Sequence, residues 1–394
     1  MLLVPASVRG PAGRDTSGDF VLDTGAGYLS LDSDLAVHLG LANSLPDSGE
    51  IAFSERPVSR LVLGDLELDQ VQPVLLFDGD IVRQVTDRQV LGLIGHQVLA
   101  GMALRFRFPQ HEIEIIPVDG GPGSASAEGG PQSKEERERA ISNSRSALEG
   151  RLTADAKPVT FMLAGDGKIL LRVRVPSSAD TLILILDTGA SKSVLFRSSL
   201  ERAHVNSARW PAARDLVAPT LFGPASADLV RLPELKVIGD RGPITTREID
   251  AVIVDSELED LLARATGQSI DGLLGYSFLR RFEVILDYPH RVLWLTPIPH
   301  VKDEREYEHS HVGLQLERRE QKLTVIAVAR DSPADQAGIR PADVLLAIDD
   351  RPTEALKLAE ANHTLEGPAG TPVRVTVARG DVTLTWRLVR KRLL

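Results

Sequence analysis

Thr181–Ser191 reads TLILILDTGAS. A run of aliphatic residues of this length suits a strand buried on both faces. It ends in a carboxylate, a hydroxyl and a glycine, an unusual way to finish a core strand, because an unpaired buried charge is costly. A solvent-facing turn would account for one Asp-Gly pair, since both residues are common in turns. The chain repeats the pattern, however: Phe20–Gly27 reads FVLDTGAG, so Asp23-Thr24-Gly25-Ala26 duplicates Asp187-Thr188-Gly189-Ala190.

The repeat extends downstream. Gly92-Leu93-Ile94-Gly95 aligns with Gly272-Leu273-Leu274-Gly275, and without gaps Phe106 meets Leu286, Phe108 meets Tyr288, Pro109 meets Pro289 and Ile113 meets Leu293. Upstream, Leu2–Val8 matches Leu170–Val175 across a small gap. Each copy therefore reads as a strand, Asp-Thr-Gly, several strands, Gly-x-x-Gly and a closing hairpin. Repeated surfaces pair about an axis, so the expectation is a pseudo-twofold arrangement with Asp23 facing Asp187. Two close carboxylates share one proton, leaving an acid and a base on one dyad. Such a pair can activate a water against an amide carbonyl. Thr24 and Thr188 are expected to hydrogen-bond across the axis, with Gly25 and Gly189 presenting N–H groups to the carboxylates.

These segments resemble retropepsin-like and bacterial aspartyl proteases. The resemblance covers roughly Leu2–Ile116 and Pro158–Pro299 and is sharper in the second copy, where Asp271–Leu295 reads DGLLGYSFLRRFEVILDYPHRVLWL. It implies catalytic roles for Asp23 and Asp187. The first copy departs from the pattern at Gly27, Leu91 and Arg107, where the second has Ser191, Asp271 and Asp287. Candidate flap tips are Asp47–Glu50 and Leu221–Pro224.

Farther on, Asp331–Ile348 reads DSPADQAGIRPADVLLAI, and the segment His311–Val389 resembles a bacterial PDZ domain. The resemblance places the carboxylate-binding loop at Gly313-Leu314-Gln315-Leu316, with Gln315 in place of a glycine, and implies that a peptide adds as a strand.

The expected fold is all-β: two pseudo-twofold related acid-protease lobes plus a C-terminal PDZ domain of strands and two short helices. The boundaries are 1–118 for the first lobe, 119–157 for a flexible linker, 158–300 for the second lobe, and 301–394 for a second linker and the PDZ domain. Asp119–Gln132 (DGGPGSASAEGGPQ) is linker-like by composition, and Ser133–Leu148 reads as a solvated spacer, with a short exposed helix as the alternative, since it has too few apolar residues for a strong face. Leu29–Leu39 reads as a short helix. The cluster His290, His300, His309 and His311 has no zinc-motif spacing and is expected on loops, and Trp294 is expected to pack.

The chain has 394 residues, a formal net charge of −10 and no cysteine. Nucleic acid is therefore not an expected partner, and disulfide and thiolate chemistry are excluded. No metal or other cofactor is expected. The expected partners are an extended polypeptide substrate and a peptide or C-terminal ligand of the PDZ unit. No transmembrane segment is expected. The start, MLLVPASVRGPAGRD, is too short and broken for a signal peptide; a periplasmic or secreted setting is expected if a leader is missing, and a cytoplasmic one otherwise. The sequence thus points to an aspartic endopeptidase with a PDZ module. The alternatives are an inactive peptide-binding scaffold that keeps the protease fold, or a hydrolase in which second lobes pair as a homodimer.

Overall fold

The computed structural model describes all residues except 1, 45–51, 80–87, 119–127, 179, 221–222, 300, 302–306 and 320. The flap tip expected at 47–50 and the Leu221-Phe222 part of the other lie outside the described residues.

The run after Thr181 forms the strand Leu182–Leu186. It lies in the middle of an eight-stranded sheet, antiparallel to Lys168–Arg174 and parallel to Gly272–Leu274. Both sheet neighbours and both faces are occupied, which is why the sequence carries aliphatic side chains at successive positions. The first copy has the same arrangement. Asp15–Leu22 lies between Leu3–Arg9 and a parallel Val90–Ile94, again in an eight-stranded sheet. In each copy the ladder runs up to the aspartate: Asp23 donates its N–H to Ile94 O at 3.0 Å and Asp187 to Leu274 O at 3.1 Å.

A third sheet joins the copies. Its order is Glu112–Pro117, Met102–Arg107, Phe282–Asp287, Val292–Pro297, Lys157–Thr160. The closing hairpin of each copy thus lies beside that of the other, with Phe106 opposite Val284, Arg105 opposite Ile285 and Leu104 opposite Leu286. One apolar core runs through both copies and includes Phe20, Phe106, Phe161, Leu184 and Tyr288.

Two local expectations are corrected. Residues 29–39 are not helical throughout: Leu29–Asp32 is a fully buried strand, and the helix is Ser33–Leu39, capped by the Asp32 side chain and stopped by Gly40 in the left-handed region. Residues 133–148 are not a solvated spacer. Lys134–Ala147 is a helix with a Ser133–Glu136 capping box. Its exposed face carries the charges, while Ile141, with Leu148 just beyond its end, packs against Ala103, Ile285, Val292 and Trp294 on the joining sheet. Few apolar positions suffice because a buried hydroxyl completes the contact. Ser144 donates to Asp287 Oδ2 at 2.6 Å and accepts from Trp294 Nε1 at 2.9 Å. Ser144→Ala leaves an indole N–H and a fully buried carboxylate each short of a partner. We expect it to lower stability by about 2–4 kcal/mol, measured by urea unfolding; a loss within ~0.5 kcal/mol would mean the helix is not anchored there.

The C-terminal unit has its own core around Val325, Leu345, Val375 and Val377. Its sheet runs Leu314–Arg319, Lys322–Val328, Val344–Ile348, Pro372–Arg379, Val382–Val389, flanked by the helices Pro333–Gln336 and Leu358–Leu365. The charged segment that leads into it is pinned at its end. Glu308 and His309 contact Lys192 (2.9 Å) and Asp250 (2.8 Å) of the second copy. Among the described residues no helix is long and apolar enough to cross a membrane.

Candidate functional site

The two Asp-Thr-Gly turns meet within a single chain, so pairing of second lobes from two chains is not needed to bring two aspartates together. The threonines hold the junction. Thr24 Oγ1 donates to Leu186 O at 2.8 Å, and Thr188 Oγ1 donates to Leu22 O at 2.7 Å. Each hydroxyl also accepts the other threonine's backbone N–H, at 3.1 Å for Thr188 N to Thr24 Oγ1 and 3.0 Å for the reverse pair. Both side chains are buried. Four crossed bonds therefore tie the end of one Asp-Thr-Gly strand to the other.

This net sets the carboxylates against each other. Asp23 Oδ1 accepts from Gly25 N at 2.8 Å, Asp187 Oδ1 accepts from Ala190 N at 2.8 Å, and the two side chains share a hydrogen bond. The glycines are required by close approach. A Cβ on Gly25 would lie 2.9 Å from Asp187 Cγ, and one on Gly189 would lie 2.8 Å from Asp23 Cγ. The Gly-x-x-Gly segments sit behind the turns, where His96 N donates to Ala26 O and Tyr276 N to Ala190 O, both at 2.9 Å.

Burial raises both carboxyls above the ordinary carboxylate range. Asp23 goes up further, because repulsion from Asp187 adds to its desolvation. At Asp187 desolvation is opposed by N–H donation from Ala190 and by the bond to Asp23. The pair therefore binds a proton more tightly than two free carboxyls would, and titrates as a unit. The folded state keeps a proton that the unfolded chain releases above about pH 4. The pair's contribution to stability is therefore fully present below that pH and is lost as pH rises through the folded titration. Asp23→Asn should flatten this slope in urea unfolding between pH 4 and 8; an unchanged slope would mean that the pair does not share a proton.

Several residues at the junction were not legible as site residues. The turn Gly165-Asp166-Gly167 of the second copy presses on the first: a Cβ on Gly27 would meet the Asp166 carboxylate, and one on Gly167 would meet the His96 ring. Lys168 is buried and ion-paired with Asp166, and its charge opposes the rise at Asp23. His96 packs on Tyr288 with ring centroids 5.2 Å apart, and burial brings its pKa down to about 4. Tyr276 packs edge-on against Phe108, with centroids 5.4 Å apart. The one available signal was position: His96 follows Gly95 as Tyr276 follows Gly275.

A cavity of about 620 Å³ lies elsewhere, lined in part by Phe108, His111, Lys192, Tyr276 and Arg280; neither aspartate borders it. Asp250, Glu308 and His309 bring ligand-type atoms within 4.8 Å of one another. The cations there are already protein groups, since Lys192 and Arg231 reach Asp250 at 3.3 and 3.0 Å. Burial alone would raise the Asp250 pKa, but His309, Lys192 and Arg231 together hold it well below the usual carboxylate range.

In the C-terminal unit Gly313 has a left-handed φ of 89°, and Leu314 and Leu316 turn into the core. Gln315 points the other way and bonds the second copy. It accepts from Val217 N at 2.9 Å and donates to Val217 O at 2.5 Å.

Comparison with known proteins gives two family matches. The family described as "PDZ domain" matches residues 324–379, and the family described as "Aspartyl protease" matches residues 172–278. Among curated proteins the chain is 40% identical over 70 residues to the carboxyl-terminal-processing peptidase 2, chloroplastic, of Arabidopsis thaliana, covering 18% of this chain and 14% of that protein. It is 29% identical over 70 residues, with the same coverage, to a probable CtpA-like serine protease of Staphylococcus haemolyticus. The chain thus spans about one seventh of the length of these relatives. Among solved structures, a retropepsin-like aspartic protease from Rickettsia conorii is 19% identical, with a TM-score of 0.25, over 35% of this chain and 98% of that one. That score is too low to carry an argument.

These findings confirm an all-β multidomain protein with a PDZ domain. They correct the expected identity. The curated relatives are carboxyl-terminal processing proteases, some named serine proteases, and not retropepsin-like aspartic proteases. The expected aspartic-type endopeptidase, with a water activated between two aspartates, is overturned by these relatives; what their names share with the expectation is peptidase activity.

Proposed function

We propose that this chain is a peptide hydrolase whose candidate site residues are Asp23 and Asp187, and whose PDZ domain binds peptide through Gly313, Leu314, Gln315 and Leu316. The observation that carries this reading is the crossed Thr24–Thr188 net, which holds two buried carboxyls against each other. Gly25, Gly189, Thr24 and Thr188 support the pair without supplying a reacting group. The names of the curated relatives support peptide-bond hydrolysis as the reaction class.

The finer architecture belongs to this proposal. Residues 1–118 and 158–300 form two pseudo-twofold related lobes, and residues 301–394 form the PDZ unit with its lead-in. In support, Arg105 lies opposite Ile285, its own counterpart in the repeat, with Phe106–Val284 and Leu104–Leu286 on either side. The His96–Tyr288 and Tyr276–Phe108 contacts exchange under the same correspondence. An axis through Arg105 and Ile285 produces both. The segment between the lobes carries the helix Lys134–Ala147 against the joining sheet.

Casein cleavage from pH 3 to 8 by the wild type, Asp23→Asn and Asp187→Asn tests the roles, each with and without a fluorophosphonate that tags activated serines. Both variants should lose about 10²–10⁴-fold in rate. Cleavage retained in either variant, with fluorophosphonate inhibition of the wild type, would take the pair out of the reaction and assign it to a serine nucleophile. A folded wild type that cleaves nothing would reduce the reading to peptide binding.

A further inference from the structure

The second copy sends out a long hairpin, Ala212–Thr220 with Gly223–Gly239, and Ala212–Thr220 is the edge strand of its sheet. Its register shifts between Ala213 and Leu216, which leaves Arg214 and Asp215 outside the regular ladder. Bulges re-aim the residues they carry, and here both meet the PDZ unit. Arg330 donates its backbone N–H to Arg214 O at 3.0 Å, and its guanidinium takes Asp215 in two bonds of 2.6 and 2.8 Å. Next along the strand, the Gln315 amide bonds both the N–H and the carbonyl of Val217, as a neighbouring strand would. Ala213, Ala329 and Leu394 close an apolar cluster beside these bonds, with Leu216, Leu229 and Leu393 packed on it.

The strand that carries Gln315 has a second exposed relation. Within its sheet, among the described residues, Leu314–Arg319 pairs only with Lys322–Val328, so its other edge is open. Alternation along the strand turns Leu314 and Leu316 into the core and Gln315 onto the hairpin. The same few residues therefore offer an edge to a peptide and a grip to the second copy. From the hairpin the connection is short: Gly223–Gly239 pairs with Lys168–Arg174, which pairs with Leu182–Leu186, the strand that ends at Asp187.

We propose that the PDZ unit is a clamp on this hairpin, acting through Gln315 and Arg330, and that the order it imposes is transmitted to the strand bearing Asp187. The link to hydrolysis rests on the function proposed above; the clamp itself does not. The full-length Gln315→Ala/Arg330→Ala variant is compared with the wild type by amide hydrogen exchange. Neither residue belongs to the carboxylate site, and because Gln315 is one of the peptide-binding residues proposed above, Arg330→Ala alone supplies the casein cleavage comparison. Exchange at Ala225 and Ala227, whose strand makes no hydrogen bond to the PDZ unit among the described residues, should rise at least tenfold, and cleavage should fall at least fivefold. Arg330→Asp should loosen the hairpin, and adding Asp215→Arg should restore it, which distinguishes a lost contact from a misfolded variant. Unchanged exchange at Ala225 and Ala227 would overturn the clamp. Faster exchange with unchanged cleavage would overturn its transmission to the site. If the wild type itself cleaves nothing, the function proposal fails, while exchange still decides the clamp.

Discussion

Thr24→Val is expected to lower stability by about 2–5 kcal/mol and to reduce peptide hydrolysis at least tenfold. Valine keeps the shape of threonine and loses the hydroxyl. The loss strands two buried groups, the Leu186 carbonyl, which accepts from Thr24 Oγ1, and the Thr188 N–H, which donates to it. Each unsatisfied buried group costs about 1–3 kcal/mol. Thr188→Val strands the Leu22 carbonyl and the Thr24 N–H and should cost as much. The bonds form one net, so the double variant should lose less than the sum of the singles. Urea unfolding of the four proteins in a double-mutant cycle reads this directly. Strict additivity would show that the two threonines act independently and that the net is not cooperative.

Gly189→Ala is expected to cost at least a hundredfold in hydrolysis while leaving the fold in place. Its new methyl would sit 2.8 Å from Asp23 Cγ, closer than nonbonded carbons approach, so a carboxylate or a turn must move. A displacement of about 1 Å at reacting groups is enough for a 10²-fold loss. Gly25→Ala faces Asp187 at 2.9 Å and should behave alike. The symmetry of the two effects is the useful part. If Gly189→Ala is inactive and Gly25→Ala retains full activity, only one turn is held to close tolerance and the pair is not functionally symmetric. Circular dichroism and thermal melts on both variants separate a displaced carboxylate from a lost fold.

The repeat was legible because it is written in residue types with few substitutes. A run of aliphatics can only be a core strand or a core helix, and Asp-Thr-Gly at its end, twice, fixes where two strands must stop. The crossed threonine bonds followed from symmetry alone. The docking of the helix Lys134–Ala147 was not legible, since it depends on Ser144, a residue that is as common on the surface; only the buried Asp287 and Trp294 give that hydroxyl a purpose. Asp287 keeps the pattern from which the first copy departs at Arg107, but its partner Ser144 lies outside the repeat. The Asp166–Lys168 turn was hidden for a related reason. It belongs to the second copy yet presses on the first, and no periodicity encodes a contact between copies. Gln315 was read as a departure from a glycine-rich loop. Its side chain has a specific partner in Val217, which a comparison with PDZ loops alone does not supply.

The sheet that joins the two copies has a consequence for how the chain is made. Met102–Arg107 finds one neighbour at once in Glu112–Pro117, but its other neighbour, Phe282–Asp287, is made far later. On a ribosome adding about 5–20 residues per second, the first hairpin waits roughly 10–40 s for its partner. During that interval an aliphatic strand edge is exposed on a nascent chain, a state open to pairing with other chains. Biosynthesis therefore favours slow release or chaperone occupancy over the first third of the chain. Two separately translated halves, split within the segment between the copies, should assemble on mixing through the same edge.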